Sequence, residues 1–487
     1  MRGLIVFSLF TVLAIAKPAN ASATNACNMI ANAVSSASDV YWPGSIQYTN
    51  DVSHWANSSS AVSTCSVEPG TAEDIGVTLQ ILGSTNTSFA VKGGGHTTNA
   101  GFSSTAGVQI AMSRFSDVVY DGATQTVSYG MGLTWNDVYS ALEPYSVNVV
   151  GGRVSDVGVA GVSLGGGYSW LTNQYGLVVD NIVGFEIVLP NGQVTNVTEA
   201  NDPDLFFSVK GGYNNFGIVT QVTTRAYPQG QVWGGIVVIG GDQWDTINAA
   251  TTKFQAEVTD PKAALQVIPA YDAALSETPV AFVLMFYDGP STPAGIFDDY
   301  LAIPALNTDL STRSFLSLVQ SSPTHSTNST RVVFNTASVT TITTGLLDAI
   351  VNETQFWSQE LSNQSATFIS YVIEFYLPSL YQHAAANTSA YPPTRAQGLL
   401  LLELYYAWDL PGADAIMQAA TVQSAAHLKA VATSEGQDIS DAPLYGNYAI
   451  AGTPVEQIFG DSLPRMRATK ERVDPQNIMG LTGGWKI

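Results

Sequence analysis

Apolar and polar positions follow two rhythms along this chain. In the first half, helix-length and strand-length runs take turns. Thr71 to Leu82 carries apolar residues at helical spacing, and Thr71 with Asp74 three residues on predicts a capped start. Phe89-Ala90-Val91 reads as a short buried strand running into Gly93-Gly94-Gly95. Val127 to Tyr129 and Ile182 to Leu189 read as strands, the second ending in a Pro190-Asn191-Gly192 turn, and Trp135 to Leu142 reads as a helix. From about Val232 the runs lengthen. Val280 to Tyr287, Phe368 to Leu377 and Gly398 to Trp408 predict strands, separated by helices over Thr341 to Leu361 and Ala413 to Ala432. That pattern predicts an α+β second domain, an antiparallel sheet with helices on one face.

Glycine sharpens the division. Residues 90–220 hold 21 of the 43 glycines, interleaved with Val, Ile, Phe and Trp rather than set in a flexible linker. Glycine is needed where backbone approaches a ligand closely, so the cluster predicts a cofactor cradle in the first half.

Composition then narrows the setting. At 487 residues the chain predicts two or three domains, and 45% apolar with 10% aromatic residues is ample for their cores. Only 12% of residues are charged; 18 basic against 39 acidic side chains leave −21, with a pI near 4.4. No Lys/Arg cluster occurs, which excludes nucleic acid as a partner. Asn-x-Ser/Thr acceptors at Asn57, Asn86, Asn196, Asn328, Asn352, Asn363 and Asn387 offer another source of solubility and predict a glycoprotein. Met1-Arg2, the apolar run Leu4 to Ala16 and small residues at Ala19, Ala21 and Ala23 predict a cleaved signal peptide over 1–23, hence secretion to the extracellular space. No later window is apolar for about 18 residues, so membrane insertion is not expected. In an oxidising compartment Cys27 and Cys65 most simply form one disulfide, closing a loop of roughly 40 residues; two unpaired buried thiols are the alternative. The histidines (His54, His96, His325, His383, His427) are scattered without metal-ligand spacing, and no metal is expected.

The segment richest in chemistry is Lys92-Gly-Gly-Gly-His-Thr-Thr-Asn-Ala-Gly101. Three successive glycines after a strand expose backbone N–H groups in a concavity suited to a pyrophosphate. It is neither a G-x-G-x-x-G fingerprint nor a Walker loop. Further glycine-rich stretches run from Gly151-Gly-Arg through Val157-Gly158 to Gly161, then Leu164-Gly-Gly-Gly-Tyr168, and Lys210-Gly-Gly-Tyr-Asn-Asn-Phe-Gly-Ile-Val219. In order and content these segments, with Tyr41-Trp-Pro-Gly44 before them and Tyr445-Gly-Asn-Tyr448 after, resemble the secreted FAD-linked oxidoreductases of the vanillyl-alcohol-oxidase superfamily, the fungal branch of the berberine-bridge-enzyme-like family. The middle of the chain matches only in texture.

The resemblance implies a PCMH-type FAD-binding domain of two α/β subdomains over 24–228, a substrate domain over 229–440, and a segment over 441–487 that returns to the FAD domain. It implies FAD linked covalently through His96. Lys92, Gly93, Gly94, Gly95, Thr97, Ala100 and Gly101 belong to that loop, and Ser113 matches the next cofactor contact. Val157, Gly158, Gly161, Gly165, Gly166 and Gly167 match the segments along the pyrophosphate and ring. Gly217, Ile218 and Val219 match the adenine side, and Tyr445, Asn447 and Tyr448 the motif over the isoalloxazine. Val154 stands where doubly tethered members carry cysteine, so a single histidyl link is expected and an oligosaccharide substrate is disfavoured. Ala449-Ile450 replaces a commonly acidic position, which alters the proton relay.

On the strand from Gly398 to Trp408, alternation puts Glu403 and Tyr405 on one side; from Phe368 to Leu377, Glu374 and Tyr376 share a side with Ser370 and Val372. These acids either face solvent near strand ends or form the wall of a site. Tyr448 is the leading base, assisted by Tyr445, with Glu403 and Tyr405 completing the catalytic set; a phenol needs a lowered pKa for that work. The expected activity is a secreted FAD-dependent oxidase. It transfers hydride from an alcohol, lactol or amine C–H to flavin, with O2 reoxidation giving H2O2, and acts as a monomer on a small molecule. An oxidative cyclisation or isomerisation of a natural product is the alternative, and a non-catalytic secreted binding protein is disfavoured by His96 with its glycine loops. A serine hydrolase is more remote: Gly161-Val-Ser163-Leu-Gly165 matches the nucleophile elbow and His427 follows it, but the glycines after Leu164 make a poor first helical turn.

Overall fold

A computed structural model describes residues 19–322 and 330–487. Most of the expected signal peptide, His325 and the Asn328 acceptor lie outside the described residues. The helix Ala19–Ala33 opens the described chain, and its Cys27 is disulfide-bonded to Cys65, 38 residues on.

Three sheets follow one another in the sequence. The first joins β1 (Asp39–Tyr41), β2 (Cys65–Glu68), β3 (Phe89–Lys92) and β4 (Val108–Ala111) in the order β1-β2-β4-β3, with β2 and β3 parallel to β4. The second contains β5 (Val118–Asp121), β6 (Thr126–Gly130), β7 (Val147–Val149), β8 (Ile182–Val188), β9 (Val194–Val197) and β10 (Ile218–Pro228), with β10 as its hub. The third joins β11 (Val232–Gly240), β12 (Ala263–Asp272), β13 (Val280–Tyr287), β14 (Ala305–Arg313), β15 (Arg331–Val339), β16 (Ala366–Phe375) and β17 (Leu400–Trp408) in the antiparallel order β14-β11-β13-β12-β16-β17-β15. This is the α+β, PCMH-type architecture expected.

Local chemistry explains the element limits. The helix Ala72–Thr85 starts where the Thr71 hydroxyl accepts the Asp74 N–H at 3.1 Å. Trp135–Leu142 spans the expected residues and is closed by a capping box between Thr134 and Asp137. Strand β13 is buried along its whole length because both faces of the third sheet are covered. Edge strand β14 is largely exposed and polar, which discourages pairing with another chain.

The third sheet has two unlike faces. Toward the helices Trp244–Glu257, Thr344–Ser362 and Asp414–Ser434 it buries Val267, Val283, Ile373 and Leu404 among others. Tyr371 on that side shares a 2.7 Å hydrogen bond with Ser424. The opposite face, one residue out of phase, presents Gln266, Leu284, Val372 and Glu403 to a cavity shared with the glycine-rich half. The C-terminus also returns there: Asn215 donates to the Trp485 carbonyl at 2.7 Å, and the Trp485 indole to the Gly446 carbonyl at 3.0 Å. Among the described residues no helix is long and apolar enough to cross a membrane.

Candidate active site

Strand β3 delivers the chain into Gly93-Gly94-Gly95, and here glycine is a steric requirement. A Cβ on Gly94 would lie 2.4 Å from the Gly158 Cα, and one on Gly158 would lie 2.6 Å from the Gly94 Cα. The two glycine-rich loops therefore touch backbone to backbone, which no side chain at either position permits. The Trp55 N–H donates to the Gly95 carbonyl at 3.0 Å and fixes the loop. The Trp55 indole then stacks on the His96 imidazole with centroids 4.1 Å apart. Burial lowers the His96 pKa to about 4, so the ring is neutral near pH 7, and its Nε2 makes no hydrogen bond.

The cavity beside His96 has about 2230 Å³ of empty space including its mouth. Gly93, Gly94, Gly95, His96, Thr97, Val157, Gly158, Gly161, Gly217, Ile218, Val219 and Asn447 all line it, as do Tyr445, Tyr448, Glu403 and Tyr405. Val154 lines it too, and both cysteines are consumed by their disulfide. Other expected contacts stand back from it. Ala100, Gly101 and Ser113 are exposed; for Ser113 the reason is that the chain turns after β4 and points Met112 into the cavity instead. Lys92 donates to the Asn50 carbonyl at 2.7 Å. Gly165, Gly166 and Gly167 end the helix Val159–Gly165 behind the lining, with φ of +119° at Gly166 and +76° at Gly167 carrying the turn.

A glycine cradle, apolar walls and a buried imidazole nitrogen without a partner fit an FAD. The glycine loops and Gly217–Val219 would hold it, with His96 against the ring.

Across the cavity lies a polar cluster drawn from three segments. Arg153, from the second glycine-rich stretch, forms a bidentate pair with Glu374 on β16, at 2.7 and 2.8 Å, with side chains 10% and 0% exposed. Arg153 also donates to the hydroxyls of Tyr376 and Tyr448, both at 2.7 Å, and Tyr448 donates to Glu374 at 2.9 Å. Burial works against the Arg153 charge, but Glu374 and the two phenols outweigh it and raise its pKa. Burial pushes the Tyr448 phenol well above its usual value, and the lowering effect of Arg153 does not reverse this. Tyr445 is also raised by burial; its hydroxyl accepts from Asn447 at 2.7 Å.

Glu403 behaves differently. It lies opposite Val372 in the middle of the sheet, facing the cavity rather than solvent at a strand end. Burial first, then the Glu374 charge, raise its pKa to about 8 against the opposing pull of Arg153. Tyr405, the next residue on that face, meets the rings of Trp55, Phe334 and Phe368.

The elbow motif forms no hydrolase site. Ser163 sits in the last turn of a helix, fully buried against the Tyr129 hydroxyl at 2.8 Å, while His427 pairs with Glu353 at 3.9 Å. Sequence reasoning passed over Trp55, Arg153 and Gln266. Arg153 had a signal: it is one of only 18 basic residues and the only basic residue in its glycine-rich stretch, Gly151 to Gly161. Trp55 and Gln266 had none.

An FAD-binding-domain family model matches residues 63–198. An FAD-dependent monooxygenase (drtC) of Aspergillus calidoustus is 32% identical over 463 residues, covering 92% of this chain and 87% of its own. Among solved structures, wild-type BBE-like 1 of Physcomitrella patens superposes with a TM-score of 0.75 at 19% identity, covering 93% of this chain and 97% of the other. A xylooligosaccharide oxidase of Myceliophthora thermophila gives 0.76 at 20% identity, covering 96% and 99%. Glycine cradle, sheet-walled cavity and these likenesses agree: the chain has the fold of the berberine-bridge-enzyme-like proteins and belongs to the FAD-dependent oxidoreductases.

Proposed function

We propose that this FAD-dependent oxidoreductase is a secreted, glycosylated oxidase that carries its flavin on His96 alone. Bound FAD supplies the two-electron acceptor, taking hydride from an alcohol, lactol or amine carbon and passing both electrons to O2 as H2O2. The observation that carries the proposal is that His96 and Glu403, from different halves of the chain, open onto one cavity. A neutral imidazole has the free lone pair that a bond to the flavin methyl carbon would require; a methyl C–H bond would break in exchange, its proton leaving to solvent and its two electrons passing through the flavin to O2. With Val154 in the wall and no free cysteine among the described residues, no second tether is available.

We assign the substrate hydroxyl or amine proton to the Glu403 carboxylate rather than to Tyr448. A base works best with a pKa near the working pH, and Glu403 sits at about 8. The Tyr448 oxygen is already held by Arg153 and its proton by Glu374, so Tyr448 orients. Export is supported by the disulfide and by the exposure of Asn57, Asn86, Asn196, Asn352, Asn363 and Asn387.

Acid precipitation of the purified yellow protein tests the tether: flavin stays in the pellet of the wild type and moves to the supernatant in His96→Ala. Turnover under labelled O2 tests the outcome. Peroxide formed one-for-one with product, and no label in the product, is expected. Label in the product would make the enzyme a monooxygenase, and colourless protein from a secreting host would remove the flavin chemistry altogether.

A further inference from the structure

The cavity-facing side of the third sheet is mostly apolar, and two of its polar side chains have no protein partner. Glu403 on β17 and Gln266 on β12 both line the cavity, and among the described residues neither side chain forms a hydrogen bond. Around them lie Val372, Ile268, Phe282 and Leu284, with the ion-paired Glu374 opposite Gln266 and Ser370 and Tyr405 next along the face from Glu403. The register fixes how far apart they stand. Glu403 lies opposite Val372, and Gln266 lies opposite Glu374, two residues further along β16. Two strand spacings and one two-residue step separate the two Cα atoms by about 12 Å.

Polar groups left unpaired in an apolar enclosure carry a desolvation penalty that a ligand can relieve. A sugar chain would bring hydroxyls at nearly every carbon and lay most of them against Val372, Ile268, Phe282 and Leu284, since Ser370 and Tyr405, the other hydroxyls of this face, stand on the far side of Glu403 from Gln266. A flat ring system with one hydroxyl at each end matches both partners and leaves its apolar middle against Val372 and Ile268.

Resting on the flavin cavity and the Glu403 assignment above, we propose that the substrate is a neutral, ring-bearing alcohol of about two fused rings. Its reacting hydroxyl faces Glu403 and a second hydrogen-bonding group at the far end is read by Gln266. Gln266 is then a specificity-determining residue, not part of the proton path. Its amide discriminates a far-end hydroxyl from hydrogen, and a single neutral hydrogen bond of this kind is worth about five- to tenfold in affinity.

The test uses the holoenzyme and three probes: 6-(hydroxymethyl)-2-naphthol, 2-naphthalenemethanol and cellobiose. Binding is read anaerobically from the immediate flavin difference spectrum, before any bleaching. The naphthol is expected to bind about five- to tenfold tighter than the simple naphthyl alcohol. Gln266→Leu and Gln266→Met should both abolish that gap. Cellobiose should give no spectrum at concentrations that saturate the naphthyl alcohols. The proposal is overturned if cellobiose binds more tightly than either naphthalene, if no naphthalene binds, or if the gap survives in a Gln266 variant with a wild-type melting profile. Bleaching of the flavin is scored separately: binding as expected without bleaching would count against the oxidase assignment and leave the recognition by Gln266 standing.

Discussion

Replacing Glu403 by Gln changes the shape of the pH profile as well as the rate. Burial and the Glu374 charge hold the folded carboxyl near pKa 8, against 4.5 for an ordinary glutamate. Only the carboxylate can accept a proton, so flavin reduction should rise about tenfold per pH unit below 8 and level off above it, with about one molecule in ten competent at pH 7. Glu403→Gln should remove that limb and slow reduction by about two to four orders of magnitude. The same shift predicts a stability effect of definite sign. Between 4.5 and 8 the unfolded carboxyl is ionised and the folded one is not. The folded state therefore holds one proton more, and stability falls by about 1.4 kcal/mol per pH unit across the window. The whole fall is no more than about 5 kcal/mol for a pKa moving from 4.5 to about 8. The contribution is complete below pH 4.5 and lost as pH rises through 8. Anaerobic stopped-flow at 450 nm from about pH 5 to 9.5 reads the first effect, and urea unfolding across the same range reads the second. Glu403 would not be the base if the Gln variant kept the wild-type inflection. It would not be the raised carboxyl if both proteins lost stability with pH at the same slope.

Arg153→Met should destabilise the fold by about 3 to 5 kcal/mol, because it leaves the Glu374 carboxylate buried and unpaired. Adding Glu374→Leu should recover most of that loss in a denaturant double-mutant cycle; purely additive losses would mean the pair is not coupled. Replacing Cys27 and Cys65 together by Ser releases a 38-residue loop. On the loop-entropy account this removes about 4 kcal/mol, read as a lowered urea midpoint, and an unchanged midpoint would show the staple to be idle.

Where one physical rule dominated, the sequence was legible. Trp135–Leu142 has both a helical apolar face and a capping box, and its limits came out as expected. Period-two alternation put Glu403 with Tyr405 on one side of β17 and Glu374 with Ser370 and Val372 on one side of β16, but could not tell solvent from site; the pairing of Val372 with Glu403 brings the two sides onto one face. Strand β14 was invisible because an edge strand needs no hydrophobic pattern; its residues are polar and exposed. The helix Trp244–Glu257 was equally silent, because its buried stripe contains Asn248, Ala250 and Thr251 beside only Ile247 and Phe254. Near the cofactor cradle the difficulty was finer. Motif resemblance fixes a segment, but which residue points inward depends on where the chain turns, and after β4 that residue is Met112 rather than Ser113. Arg153 was hidden for another reason: its partners Glu374, Tyr376 and Tyr448 are more than 200 residues away.

That remoteness bears on how the site works. A buried ion pair adds little net stability over a well-packed apolar contact, yet breaking it is severe. Its value here lies in what it aligns. Arg153 comes from the glycine-rich half, Glu374 from the third sheet and Tyr448 from the C-terminal segment, and none of the three buries its polar atoms satisfactorily without the others. The same two charges act on Glu403: Glu374 pushes its pKa up and Arg153 pulls it down. If the halves separate, water reaches Glu403, the burial that holds its proton disappears, and the carboxyl returns toward an ordinary glutamate. The pKa that suits the proton acceptor to work near neutral pH is therefore a property of the docked cavity, not of β17 alone. A variant that lets water into the enclosure around Glu403 should lose the limb near pH 8 even though Glu403 itself is intact.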